Sequence, residues 1–291
     1  MRGDFDNETY DPQGRSKARG FLPVVVLAVC ALVLAGVMAF GGGSLWDADQ
    51  QEDAKSDTVG ALSGDSSKYG TISSYTAQSS SKDDNRASNL ALCASTLDGV
   101  VIKPGETFSF NEIVGETTPE KGYKRAVAIM DGEETKEYGG GICQVSTAIY
   151  VAAVEGNLGI VQRFSHSTPP DYVPVGLDAT VSYGSLDLKI ANNTDAEIKL
   201  RVKAEAQSVT AWFEGKMLKE GLSIKAVSAV TSDYLEADES GQEQRHYKTE
   251  SYRVICENGQ EIAREPLAVD YYLITEKNIV SFGEGSVAPT K

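Results

Sequence analysis

The period of the apolar positions changes several times along the chain, and those changes divide it into parts. Phe21 to Phe40 is a continuous run without a charged residue. At ~1.5 Å per residue it spans roughly 30 Å, the thickness of a bilayer's hydrocarbon core. Residues 41–83 lose all periodicity and are rich in Gly, Ser, Asp, Lys and Gln. They read as a flexible stalk over 41–69, with ordered contacts expected near Tyr69–Tyr75. Ala87, Leu90, Ala91, Ala94 and Leu97 then recur at helical spacing, predicting a helix over 84–97 that Asp98-Gly99 ends. Short strands are expected at Val100–Ile102 and Ala126–Met130, with a Pro-Gly turn within Lys103–Glu106 leading into Thr107–Phe110. Val145, Ala148, Ile149 and Ala152 make an apolar stripe on a second helix, Cys143–Glu155, closed by Gly156.

From Leu158 the period shortens to two. Strands are predicted at 158–164, 178–185, 186–191, 196–205 and 207–213, with turns at Asn192-Asn193 and Glu214-Gly215. In a last block, Tyr247–Tyr272, Tyr252, Val254 and Cys256 alternate before Asn258-Gly259. That dipeptide favours a type I′ hairpin turn, with Ile262–Leu267 returning. The expected architecture is an α+β extracytoplasmic domain with a β-rich C-terminal part, preceded by one N-terminal transmembrane helix. Its divisions are a cytoplasmic tail (1–20), a membrane helix or signal anchor (21–40), the stalk (41–69), a central domain (70–215) and a β-rich extension (216–291).

Composition and charge sharpen this picture. With 41% hydrophobic residues among 291, the chain can build a substantial core. A formal net charge of -15 disfavours nucleic acid as a partner. Arg15, Lys17 and Arg19 precede the apolar run, so the positive-inside rule leaves everything after it outside the cell membrane. A cleaved signal peptide is the rival reading, although Val37–Phe40 supplies no Ala-x-Ala site. A buried soluble helix is the third. Cys30 falls within the apolar run, leaving Cys93, Cys143 and Cys256. Three is an odd number, so at least one thiol is free or pairs between chains.

Cys143 is the sharpest chemical candidate. Gly139, Gly140 and Gly141 permit a tight turn with exposed amides immediately before a helix start. A helix N-terminus lowers a thiol pKa and stabilises developing negative charge, as a nucleophile requires. Backbone amides, or Gln144 or Ser146, could hold an oxyanion. The bland alternative is a buried, inert cysteine. His166 lies in a polar loop before Pro169-Pro170 and could act as general base, or simply bond loop backbone. Asp178 could orient it, with Asp171 as rival. Tyr123, Tyr138, Tyr150 and Tyr172 could line a groove, or pack with satisfied hydroxyls. Glu106, Glu112, Glu116 and Asp131 leave paired-carboxylate chemistry open. Two distant histidines without HExxH, and no P-loop or dinucleotide fingerprint, give no reason to expect a metal or cofactor.

Several stretches together carry a resemblance. They are Arg86-x-x-Asn89, Val101-Ile-Lys-Pro-Gly-Glu-Thr-Phe-Ser-Phe-Asn111, Gly115, Gly122-Tyr123 and Gly139-Gly-Gly-Ile-Cys-Gln-Val-Ser-Thr147. His166, Tyr172-Val-Pro174 and Gly176-Leu-Asp-Ala-Thr-Val181 complete them. In this order they resemble the VanW family over roughly residues 70–205. The resemblance implies a bacterial envelope protein, often anchored by one N-terminal helix, with peptidoglycan or another cell-wall component as partner. It also carries a cysteine, a histidine and an aspartate onto Cys143, His166 and Asp178. Arg86, Asn111, Tyr138 and Tyr172, which lie in or between the matching stretches, become candidate substrate-binding residues. Cys93 stands where the family usually has a small apolar residue. Tyr252, Glu257-Asn-Gly259 and Arg264-Glu265 also resemble part of the G-five module, associated with wall-glycan adhesion; the alternative is an extension of the preceding sheet. Three functions follow as expectations. They are cysteine-dependent amide hydrolysis or transpeptidation on peptidoglycan, non-catalytic wall binding or scaffolding, and an accessory role beside a membrane-bound envelope enzyme.

Overall fold

The computed structural model describes residues 68–130 and 133–274. The expected cytoplasmic tail, the membrane span and the stalk up to residue 67 lie outside the described residues. Among the described residues, no helix is long and apolar enough to cross a membrane.

The chain enters on strand β1 (Tyr69–Gln78), so the ordered contacts expected near Tyr69–Tyr75 belong to a ten-residue strand. Helix α1 (Asp84–Leu97) follows, its first turn capped by Asp83, whose carboxylate accepts from the amides of Asn85 and Arg86. Strands β2 (Val101–Ile102) and β3 (Thr107–Ser109) lead to a short helix α2 (Phe110–Val114). A hairpin comes next, β4 (Arg125–Met130) and β5 (Glu133–Tyr138). Helix α3 (Cys143–Glu155) is followed by β6 (Gly159–Gln162), β7 (Lys189–Ala191), β8 (Ile198–Ala204) and β9 (Ser208–Lys216). Three long strands close the chain: β10 (Leu222–Ala237), β11 (Glu243–Glu257) and β12 (Gln260–Ile274).

The order β1-β9-β8-β2 forms an antiparallel sheet, and α1 and α3 pack on it. Ile198, Leu200 and Val202 of β8 and Val209, Ala211 and Phe213 of β9 are buried, the period-two pattern of a sheet with one covered face. Helix α3 carries more than the one stripe seen in the sequence, because every residue from Gln144 to Val154 is buried. A helix covered on all sides is a core element. The sheet covers one side, and the loop after β6 and the C-terminal sheet β10-β11-β12 cover others. Arg253 of β11 fastens that second sheet by donating to the carbonyls of Val154 and Leu158 at the end of α3.

Two local expectations fail for physical reasons. Glu214-Gly215 is not a turn but the end of β9, where Gly215 faces Gly70 of β1. A Cβ on Gly215 would lie 2.7 Å from Ile72, so this glycine permits close packing. Residues 178–185 form no strand. The backbone of Ala179 is satisfied by the hydroxyls of Thr147 and Ser146 on α3, so the segment lies on the helix without a neighbouring strand. Asn258 and Gly259 do form the expected type I′ turn, with φ of 53° and 83°. Cys93, Cys143 and Cys256 are all free thiols.

Candidate active site

The site begins where β5 ends. Gly139 and Gly141 adopt φ of 79° and 107°, a region that disfavours any side chain. Gly140 is required for a different reason: a Cβ there would sit 2.4 Å from the carbonyl oxygen of Ala126. The turn delivers Cys143 as the first residue of α3. Among the described residues, the amides of Gly141 and Cys143 have no hydrogen-bond acceptor, leaving two donors beside the thiol. Cys143 is partly exposed, with its Sγ 3.6 Å from both the Thr180 hydroxyl and the Val181 carbonyl.

His166 faces Cys143 from the loop after β6. Its Nδ1 lies 2.6 Å from Asp178 Oδ2, and its backbone amide donates to the same oxygen at 2.7 Å. Asp178 therefore fixes the ring, and Nε2 is the nitrogen left for the thiol. Asp178 is completely buried, with 0% exposure. Its other oxygen accepts from Tyr272 at 2.6 Å and from Arg163 Nη2 at 3.2 Å. Arg163 also donates to Asp270 at 2.5 Å and to the Asp178 carbonyl at 2.6 Å, and lies over the Tyr150 ring. A buried ring of alternating charge thus backs the imidazole.

Burial alone would push the Cys143 thiol up, but the hydrogen bond and charge of His166 bring it down to about 7. Burial would likewise lower His166, but Asp178 and Cys143 hold its pKa at about 10. Asp178 is held well below the usual carboxylate range by His166 and Arg163, against the effect of burial. The favoured state between the first two values is a thiolate–imidazolium pair. A thiol, an imidazole and a buried carboxylate in this order are groups with which acyl transfer can be carried out.

The pair opens into a cavity of 590 Å³ lined in part by Gly139–Gly141, Asn111, Tyr138 and Ser182. The other sequence candidates fall in different places. Gln144 is fully buried, and its amide nitrogen donates to the carbonyls of Ala77 and Gln207, so it has no hydrogen to offer an oxyanion. The Ser146 hydroxyl is committed to the Ala179 carbonyl. Arg86 sits behind the site, donating to Gln144 and stacking over Tyr172. Tyr172 packs edge-on against the His166 ring and does not line the cavity. Asn111 does line it, with its amide nitrogen donating to the carbonyls of Ser182 and Leu186. Tyr138 is 42% exposed at the rim. Asp171 binds Ser79 and Ser80, not His166. Sequence reasoning missed Arg163, Asp270, Tyr272 and Thr180. Among the described residues, no group of three His, Cys, Asp or Glu side chains could hold a metal ion.

This site lies within residues 85–213, which match the family described as VanW like protein. These residues form a VanW-like domain, which the chain shares with a VanW-named relative. The chain is 43% identical over 132 residues to the uncharacterized protein YoaR of Bacillus subtilis, covering 45% of this chain and 44% of the relative. It is 36% identical over 131 residues to the vancomycin B-type resistance protein VanW of Enterococcus faecalis, covering 43% and 48%. The chain therefore spans about half the length of the curated relatives it matches. No solved structure matches it significantly.

Proposed function

We propose that this chain is a cell-envelope protein, anchored by residues 21–40, whose VanW domain acts on an amide bond of peptidoglycan through Cys143. The observation that carries the proposal is Cys143 and His166 together in the lining of a 590 Å³ cavity, with Asp178 bonded to His166 from behind. The envelope placement rests on the charge asymmetry around residues 21–40. The choice of peptidoglycan is supported by a relative whose name ties it to vancomycin resistance.

The Cys143 thiolate adds to the carbonyl carbon, and the carbonyl π electrons move to oxygen. The amides of Gly141 and Cys143 donate to that oxyanion. Collapse expels the amine, which takes the Nε2 proton of His166 and leaves a thioester on Cys143. His166 then removes a proton from water as it attacks the thioester, releasing the acid and regenerating the thiolate. If an amine attacks in place of water, the outcome is transpeptidation. Throughout, Asp178 keeps Nδ1 protonated and the ring directed at sulfur.

The test is incubation of the full-length protein with purified peptidoglycan fragments, followed by mass analysis. Amide cleavage or exchange products that vanish with Cys143→Ala are expected. Unaltered fragments, or products equal in the variant, would refute the proposal.

A further inference from the structure

Strand β12 lies beyond residue 213, where the family match ends, yet it reaches the candidate site at three points. The Tyr272 hydroxyl donates to Asp178 Oδ1 at 2.6 Å. Asp270 holds Arg163 Nη1 at 2.5 Å, while Nη2 of the same arginine holds Asp178. The Leu273 amide donates to the carbonyl of Ser167, the residue after His166, at 2.8 Å. The alternation of the strand is inverted relative to what burial favours. Val269 and Tyr271 are 52% and 58% exposed, while Asp270 and Tyr272 are turned inward. Burying a carboxylate and a hydroxyl while exposing valine is a choice that sheet packing alone disfavours. Such local inconsistencies concentrate where function requires them.

We infer that Tyr272 and Asp270 are positioning residues of this site, so that the C-terminal sheet completes the Cys143–His166–Asp178 arrangement and the matched VanW segment alone does not. The inference rests on the catalytic reading of Cys143. Asp178 has two oxygens: one serves His166, and the other is held by Tyr272 and Arg163. Without the Tyr272 hydroxyl, only the longer contact to Arg163 restrains that oxygen. Without Asp270, Nη1 of Arg163 is released to turn to Asp178, where it competes with His166 for the carboxylate. Either loss weakens the hold on the imidazole and with it the thiolate–imidazolium pair. Tyr150 and Tyr172 are the other titratable groups packed here; burial holds both raised, so they stay neutral bystanders.

The experiment measures alkylation of Cys143 by iodoacetamide across pH in the full-length protein, read on the Cys143 peptide by mass. The proteins are wild type, Tyr272→Phe, Asp270→Asn and, as a neighbouring exposed control, Tyr271→Phe. Buried Cys93 reports folding in the same sample, because it stays unlabelled while the domain is folded. Wild type and Tyr271→Phe are expected to turn on near pH 7. Tyr272→Phe and Asp270→Asn are expected to react about tenfold more slowly at pH 7, the low end of what a hydrogen bond to a charged group is worth, with the profile displaced upward. If Tyr272→Phe exposes Cys93, Asp270→Asn decides. Folded variants that keep the wild-type profile overturn the inference and leave the catalytic reading standing. A wild-type Cys143 that titrates like an ordinary thiol, indifferent to His166→Ala, overturns both.

Discussion

Replacing Gly140 with alanine tests whether the glycine turn is set by packing. The added Cβ would meet the Ala126 carbonyl oxygen at 2.4 Å, its carbon at 2.7 Å and the Val127 oxygen at 2.9 Å. All three are backbone atoms of β4, so no rotamer change relieves the overlap. β4 cannot retreat easily, because Ala126 is paired with Glu137 of β5. Gly140 cannot retreat either: Asn89 holds its carbonyl at 3.1 Å and also grips Lys124 through both the amide and the carbonyl. Overpacking costs about 1–3 kcal/mol, and a clash with held backbone belongs near the top of that range. For a domain of this size that corresponds to a melting point lower by roughly 6–12 °C. Equilibrium unfolding in urea, followed by far-ultraviolet circular dichroism, measures it as a lower midpoint at constant slope. Gly99→Ala is the comparison: its φ is 89° but nothing lies within 4 Å, so it carries only the left-handed backbone cost of roughly 1–2 kcal/mol. If Gly140→Ala proves no more destabilising than Gly99→Ala, close packing is not what fixes this glycine.

Two further predictions follow from individual contacts. Asn111→Ala removes donors to Ser182 (3.1 Å) and Leu186 (2.9 Å), so hydrogen exchange should quicken over residues 182–186 and stability fall by about 1–2 kcal/mol; unchanged exchange there would show the rim loop is held by other means. Burial raises Glu155 from 4.5 to about 7, so its folded form resists ionisation. Its contribution is intact below about pH 4.5, is lost progressively as pH rises to about 7, and then stays constant. Glu155→Gln should therefore raise the unfolding midpoint relative to wild type at pH 8 but not at pH 4, and an equal effect at both would contradict this.

The parts of the fold legible in the sequence were those set by local chemistry. The spacing of Leu90, Ala94 and Leu97 marked α1, and Asn258-Gly259 marked its hairpin because few dipeptides adopt positive φ twice. The proximity of Cys143, His166 and Asp178 rested on three distant segments, and residue type with family resemblance pointed to them before any contact was visible. The missing parts were non-local. β1 is polar and pairs across more than a hundred residues with β9, so no local pattern reveals it. Residues 178–181 alternate like a strand but take their partners from Ser146 and Thr147 on a helix. Gln144 looked available beside Cys143, yet it is spent on the carbonyls of Ala77 and Gln207. Asp270 and Tyr272 were hidden because hydrophobic alternation would turn Val269 and Tyr271 inward.

The proposed function depends on His166 making Cys143 a nucleophile. The direct measurement is the rate of Cys143 alkylation against pH in wild type and His166→Ala. A wild-type transition near pH 7 is expected. Without His166, burial should carry the thiol to its ordinary value of 9.0 or above, so reactivity at pH 7 should fall by roughly fiftyfold as the thiolate fraction drops from about a half to about one per cent. A wild-type transition at 9 or higher, or a profile that His166→Ala leaves in place, would contradict it.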